Sequence, residues 1–97
     1  MWVVAILTPR DGDWDRFEAY ERKAAEILAR HGARIERAIR ETGAKGREVH
    51  LVYFPNRQAF DAYRVDPEVA ELAGERSAAI AHSEVIFGED APTLTQA

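Results

Sequence analysis

The chain has 97 residues, 46% of them hydrophobic, with no cysteine and a formal net charge of -4. This length suits one globular domain, and the missing cysteines exclude disulfides, thiolate metal sites and thiol nucleophiles while suiting a reducing cytoplasm. Basic and acidic residues are interleaved, so no basic stripe is available for a phosphate backbone, and nucleic acid is not expected as a partner.

The first part of the chain predicts a strand followed by a long helix. Residues 2–8 form an apolar run that is too short to span a membrane and has no basic leader, so it is typical of a strand buried on both faces. Asp11-Gly12-Asp13 is predicted to make a turn and to offer a carboxylate cap to a helix that runs to about His31 with amphipathic periodicity. Gly32 follows as a left-handed stop.

The next segment predicts an edge strand. Residues 34–41 are mostly polar, with Ile35 and Ile39 assigned to one face and charged side chains, which protect an edge strand from pairing with other chains, assigned to the other. Arg37 is assigned to the same face as the two isoleucines. The loop "TGAKG" at residues 42–46 then predicts a hairpin, since no helix follows it to supply the backbone amides of a phosphate site.

Residues 48–54 predict a second central strand, because both of its alternating sets of side chains are largely apolar. Pro55 cannot donate to the strand ladder, and Asn56 is a natural cap for the helix that follows. Asp66-Pro67 closes that helix and starts another at its preferred first-turn proline.

The last strand is predicted at residues 84–88, within a domain at 1–88 followed by an irregular C-terminal tail at 89–97. The order strand, helix, strand, strand, helix, strand indicates a ferredoxin-like α+β sandwich, with two helices on one face of a four-stranded antiparallel sheet.

The predicted sheet has more apolar surface than two helices can cover. Both central strands are apolar on both faces, and a bare face of that kind would be an unusually large exposed patch. We therefore expect a homodimer through the sheet faces, related by a twofold axis and burying on the order of 1,200 Å² or more.

Several short motifs resemble those of the small dimeric α+β-barrel proteins, above all a bacterial one-domain family of unknown function in that superfamily. They are Phe54-Pro55-Asn56, Ala59-Phe60 with Tyr63, Pro67-Glu68, Arg76, Ser83-Glu84 before Val85-Ile86-Phe87, and "HGAR" at residues 31–34. The resemblance covers nearly the whole chain and implies the dimeric α+β-barrel fold. The chain departs from the family pattern in its short "TGAKG" hairpin and in Tyr53, where relatives often carry an acid.

Charged residues at apolar positions are the candidates for a binding site. Arg76 and Glu21 each fall within the apolar arc of a predicted helix, and Arg37 lies on an apolar strand face. Such charges are costly unless they are paired or open to a wet cleft, so we expect all three to line a pocket between helices and sheet, with His50 or Tyr53 at its wall. The arginines would bind a carboxylate or another anion. The alternative is that Arg76 pairs with Glu21 as a structural bridge or reaches solvent.

The three histidines have no metal-ligand spacing, and no metal site is expected. His31 and His82 are assigned to helix ends, where an imidazolium suits the helix dipole. His50 is predicted to be buried on a central strand, where it could act as a base near neutral pH or hydrogen-bond across a dimer.

Two functions remain open from the sequence. The resemblance implies a small-molecule binding protein or a cofactor-independent enzyme, since the superfamily includes monooxygenases, isomerases and dehydratases; Arg76 and Arg37 would then hold an anionic or aromatic ligand and His50 would move a proton. Some relatives bind haem through a histidine on the second helix, but only His82 lies near its end, so no cofactor is expected. The other function is a non-catalytic homodimeric module whose buried charges serve folding specificity alone.

Overall fold

The computed structural model describes residues 1–43 and 46–95, without the side chains of residues 94 and 95. Its strands are β1 (Trp2–Pro9), β2 (Arg34–Arg40), β3 (Glu48–Tyr53) and β4 (Ile80–Gly88). Its helices are α1 (Trp14–Arg30), α2 (Arg57–Arg64), α3 (Pro67–Glu71), α4 (Ala73–Ala79) and α5 (Pro92–Thr95), with a 3-10 turn at Arg10–Gly12.

The four strands form one antiparallel sheet in the order β2-β3-β1-β4. This order confirms the predicted ferredoxin-like βαββαβ fold, with β1 and β3 at the centre. The strand β4 begins at Ile80, four residues before the predicted start, because α4 ends at Ala79 and the chain extends at once. Within the predicted tail, Pro92–Thr95 form a helical turn.

The helix α1 begins and ends as the sequence predicts. The Asp13 side chain accepts a hydrogen bond from the backbone N–H of Arg16 at 3.0 Å, which caps the first turn. Gly32 has φ 73°, and a Cβ there would lie 3.1 Å from Pro55 Cγ, so glycine fits both the backbone and the close approach. Five residues of α1 are buried against the sheet: Phe17, Tyr20, Ala24, Ile27 and Leu28.

The hairpin of β2 and β3 contains a β-bulge that the sequence pattern does not reveal. Ile35 is paired with Val52, yet Arg37 is paired with the next residue, Leu51, so Glu36 is an extra residue. Because of the bulge, Ile35 faces the helices, whereas Arg37 faces the opposite side of the sheet. The prediction that Ile35, Arg37 and Ile39 share one face is therefore wrong, because Arg37 and Ile39 lie on the face opposite to that of Ile35. Of the predicted loop, Ala44 and Lys45 lie outside the described residues.

The second helical connection follows the predicted motif and then departs from it. The Asn56 side chain accepts from the Ala59 N–H at 2.9 Å, which confirms the predicted cap, and a new helix begins at Pro67 as predicted, with Asp66 accepting from the Glu68 N–H at 2.8 Å. The helix predicted to continue from Pro67 instead breaks at Leu72, which separates α3 from α4.

The core lies between the helices and one face of the sheet, in two clusters. One contains Leu7, Phe17, Tyr20, Ala24, Ala79 and Ile80. The other contains Val3, Leu28, Ala33, Val52 and Phe54, with Phe60 and Tyr63 packed against it. The aromatic rings of Phe54 and Phe60 meet edge to face with centroids 5.3 Å apart.

Among the described residues, the other face of the sheet is not packed against α1–α4 and is largely apolar. Because Val3, Leu7 and Val52 face the helices, the alternate residues of the central strands face away. They are Trp2, Val4 and Ile6 of β1 and Val49, Leu51 and Tyr53 of β3. On the flanking strands, Ile39 and Ile86 are 56% and 57% exposed. We call this surface the open face.

Candidate functional site

A cleft of about 350 Å³ lies between the helices and the covered face of the sheet. Its floor is formed by small and branched side chains of the central strands, including Val3, Ala5 and Val52. Its polar lining residues are Tyr20, Glu21, His50, Tyr63, Arg64, Arg76 and Ser83. A mostly apolar cavity of this volume with a few converging polar groups is the usual form of a small-molecule site.

Three of the five predicted site residues line this cleft. Glu21 enters it from α1, His50 from β3 and Arg76 from α4. Arg37 does not line it, because the bulge in β2 turns its side chain to the open face. The predicted arginine pair is therefore not formed by Arg37 and Arg76.

Tyr53 also lies outside the cleft, on the open face. Its ring meets the Trp2 ring edge to face at 5.3 Å, and the Arg34 guanidinium lies 4.4 Å from its centroid. His50 and Tyr53 are three residues apart on one strand, so they must face opposite sides of the sheet. His50 faces the helices, which also places it away from the side where a second sheet could pack.

Arg76 lies at the mouth of the cleft and is exposed. Its Nη2 donates a hydrogen bond to the Ser83 hydroxyl on β4 at 3.0 Å. Across the described residues, Glu21 forms an ion pair with His50 and none with Arg76. The direct Arg76–Glu21 bridge considered from the sequence is thus not present, and the guanidinium remains available to an anion.

Arg64 supplies a second arginine that the sequence analysis missed. It lies at the end of α2, lines the cleft, and places its guanidinium carbon 5.6 Å from the Phe60 ring centroid. Phe60 packs against the core, and residues four apart share a helix face, so the Phe60–Arg64 spacing was a signal for this placement.

Two tyrosine hydroxyl groups also line the cleft, those of Tyr20 and Tyr63. Burial raises the pKa of Tyr63 to about 12. Burial also raises the pKa of Tyr20, although the nearby Arg76 guanidinium opposes the shift. Both hydroxyls therefore stay protonated at neutral pH and can donate hydrogen bonds to a ligand.

The most buried polar side chain of the site is His50, which is 4% exposed. Its Nε2 lies 3.0 Å from Glu48 Oε2, and its Nδ1 lies 3.7 Å from Glu21 Oε2. Burial raises the pKa of the Glu21 carboxyl, against the opposing effect of His50. An imidazole held between two carboxyl groups next to a cleft is an arrangement suited to moving a proton.

The other two histidines lie outside the cleft. His31, at the end of α1 as predicted, places Nε2 2.7 Å from Asp66 Oδ2, and this contact holds the pKa of the Asp66 carboxyl below its usual value. His82 is not at a helix end, contrary to the prediction. It lies in β4, exposed, with Nε2 3.3 Å from Glu84 Oε1, because the strand begins earlier than expected.

Two further kinds of site, a metal centre and a membrane-spanning helix, concern the part of the chain that the structure describes. No group of histidine and carboxylate side chains there is arranged to hold a metal ion. No helix in the same residues is long and apolar enough to cross a membrane.

No protein-family model and no curated protein matches the sequence. Solved structures of low sequence identity do match it. An uncharacterized NIPSNAP domain protein from Burkholderia xenovorans superposes with a TM-score of 0.74 at 16% identity, covering 99% of this chain and 100% of that chain.

Two further structures show the same similarity. SnoaB, a cofactor-independent oxygenase from Streptomyces nogalater, has a TM-score of 0.70 at 16% identity over 98% of this chain and 96% of its own. The RPA0582 protein of unknown function from Rhodopseudomonas palustris has a TM-score of 0.71 at 21% identity over 88% of this chain and 78% of its own. Identities this low indicate a shared fold and leave the chemistry to be argued from the site.

Proposed function

The chain has the fold of the dimeric α+β-barrel proteins, and from this premise we propose that it binds a small anionic or aromatic metabolite in the cleft between helices and sheet. The observation that carries the proposal is the cleft itself, about 350 Å³ in volume, with an apolar floor and polar groups converging on it from α1, α2, α4 and the sheet. A structural module without a ligand would have no reason to leave this volume unfilled, since protein interiors are close-packed.

The ligand is expected to be a flat molecule with a carboxylate. Arg76 is anchored to Ser83 yet exposed at the mouth, so its free N–H groups can bind planar oxygens. Arg64 replaces Arg37 as the second cation of the site. Apolar residues such as Val3, Val52 and Phe54 would cover the faces of an aromatic ring.

A catalytic role of the oxygenase or isomerase kind would use His50 as the base. Its ring is buried beside the cleft, and the neighbouring Glu21 and Glu48 carboxylates stabilise an imidazolium formed by taking a proton from the ligand. Similar folds support such chemistry, since SnoaB is a cofactor-independent oxygenase.

The same proposal includes a homodimer formed through the open face. A non-catalytic dimeric module would form the same dimer through this face. The two functions are therefore distinguished by ligand binding in the cleft and not by dimerisation. The open face is apolar over both central strands, and a twofold-related copy packed against it would remove this apolar surface from water.

A thermal-shift screen with small aromatic and aliphatic carboxylic acids tests the proposal, because a ligand that binds the native state raises the melting temperature by mass action. At least one aromatic acid is expected to raise the melting temperature of the wild type, and Arg76→Ala is expected to lose most of that shift. Arg16→Ala is the matched control, since Arg16 is exposed on α1 and makes only a 3.9 Å ion pair with Asp13.

Equal shifts in wild type and Arg76→Ala would show that binding does not use the cleft arginine. The absence of any shift across the screen, with the fold intact, would favour the non-catalytic module.

A further inference from the structure

A second cavity, of about 270 Å³, lies between α1 and the β2–β3 side of the sheet. Glu21 and His50 line both this cavity and the cleft, whereas Glu48 and Arg40 line only the second cavity. Glu21 and His50 therefore form part of the partition between the two spaces. The proposed function uses only the cleft side of this partition.

The partition is a row of three titratable side chains. The Glu21, His50 and Glu48 side chains are 17%, 5% and 12% exposed, respectively. The imidazole lies in the middle, with Nε2 3.0 Å from Glu48 Oε2 and Nδ1 3.7 Å from Glu21 Oε2. Each ring nitrogen thus has a carboxyl group of its own.

This geometry favours one placement of the protons. An ionised Glu48 carboxylate only accepts hydrogen bonds, so this contact favours the tautomer in which His50 Nε2 carries the hydrogen. In the neutral ring of that tautomer, Nδ1 is an acceptor that faces the Glu21 carboxyl. Two acceptors that face each other in a buried site favour the uptake of a proton, and burial raises the pKa of Glu21, so this carboxyl is the group of the row suited to accept one.

The charged groups around the row favour this arrangement. The Arg40 guanidinium lies 3.3 Å from Glu48 Oε1, the carboxyl oxygen that is not paired with His50. Arg40 also lies 3.8 Å from Glu18, which lines the second cavity together with Arg22. On the cleft side, Arg76 acts on Glu21 and lowers its pKa, but burial outweighs it.

We propose that Glu21, His50 and Glu48 form a proton relay between the cleft and the second cavity, with Glu48 as the positioning residue that holds His50 in the Nε2–H tautomer. His50 takes the proton of a ligand in the cleft by way of the Glu21 carboxylate, which accepts it first and then closes the distance to Nδ1 by a side-chain rotation. The Glu21 O–H bond then breaks as the Nδ1–H bond forms, while the Nε2 proton passes through Glu48 to water in the second cavity. One proton enters and one leaves, and the reverse sequence returns a proton to the ligand.

The relay deepens the proposed function, since a ligand in the cleft would supply or take the proton, but its geometry is testable without a ligand. We would record ¹⁵N NMR spectra of the full chain labelled at histidine, with His31→Gln and His82→Gln variants to assign the three rings. The wild type is expected to show neutral His50 as a single Nε2–H tautomer. Glu48→Ala is expected to lose this signature, and Glu48→Gln, which keeps an acceptor oxygen, is expected to retain it.

Glu18→Ala is the matched control, because it removes a carboxylate from the same cavity that does not contact His50. A parallel ¹³C titration of the glutamate carboxyl carbons is expected to show Glu21 protonating at higher pH than the exposed glutamates, with a further change in His50→Gln. Circular dichroism confirms that each variant is folded, and if Glu48→Ala is not, the comparison rests on Glu48→Gln and the Glu21 titration.

The relay is wrong if the His50 tautomer is unchanged in Glu48→Ala, or if Glu21 titrates with the exposed glutamates and ignores His50→Gln. These outcomes are separable from failure of the proposed function. If melting-temperature shifts depend on Arg76 but the His50 tautomer is unchanged in Glu48→Ala, the relay is wrong and the binding site is supported. If the tautomer and titration results are as expected but no acid raises the melting temperature, the relay geometry is supported and the proposal of a bound metabolite is wrong.

Discussion

The two faces of the sheet differ in a way that is unusual for a small protein. The face covered by helices contains the buried histidine, the two carboxyl groups beside it and the cleft arginines. The bare face is mostly apolar, from Trp2 and Val4 to Leu51 and Ile86. A sheet in a stable monomer would have polar residues on the face that is open to water, and the bare face departs from that pattern. The difference supports both proposals, a ligand on the covered face and a second copy on the bare face.

The largest expected effect comes from breaking the covered face. Phe54 is 2% exposed and packs against Phe60 and Tyr63, so Phe54→Ala should lower the free energy of unfolding by about 3–5 kcal/mol through lost burial and a cavity. Urea unfolding followed by circular dichroism measures this. Val65→Ala, at a residue that is 79% exposed, should change it by less than about 0.5 kcal/mol. A similar cost at both positions would contradict the assignment of the core.

The next effect concerns the open face. Leu51→Lys places a charge at the centre of the proposed dimer contact, where it should raise the dimer dissociation constant at least about tenfold. Sedimentation velocity at micromolar concentration should show a dimer for the wild type and a dissociated, folded chain for the variant. Ala19→Lys, at an exposed site on α1, should leave the dimer intact. A wild type that sediments as a folded monomer would overturn the homodimer.

The smallest expected effect concerns the ionisation of Glu21 on the covered face. Burial raises the pKa of Glu21 above its ordinary value of 4.5, so its ionisation is costly in the folded state. Stability is therefore lost as pH rises through 4.5 to the folded-state pKa. Glu21→Gln should have a higher melting temperature than the wild type at pH 7, and the gap should close below about pH 4.5.

Differential scanning calorimetry at several pH values follows this gap. Glu26→Gln, at an exposed position on α1, serves as the control and should follow the wild type. A gap at pH 7 that persists unchanged at low pH would mean that Glu21 acts through packing and not through its charge.

Much of the fold could be predicted because the determining signals are local. The Asp13, Asn56 and Asp66 caps sit where their side chains accept backbone hydrogen bonds, and the apolar runs of β1 and β3 identify the central strands. The break at Leu72 could not be predicted in the same way. No glycine or proline stands at that residue, so its position depends on how α4 packs onto α1 and the sheet.

The candidate site was predicted in part. His50, Glu21 and Arg76 were found because a charge at an apolar position is conspicuous in a periodic pattern. Glu48 was missed because it is the first residue of its strand, where a charge is ordinary. Arg37 was misplaced because alternation was counted through the bulge, and nothing in the residue types marks an inserted position.

The bulge also bears on how the length of this hairpin can vary. If Glu36 is left out, the remaining residues of β2 alternate regularly, with Ile35, Ala38 and Arg40 on one side and Arg37 and Ile39 on the other. Removing Glu36 would let every neighbour keep both its side and its cross-strand partner, whereas removing Ala38 would invert the residues beyond it and separate Arg40 from Glu48. We therefore expect natural insertions and deletions in proteins of this shape to collect at Glu36 and to spare the rest of the strand.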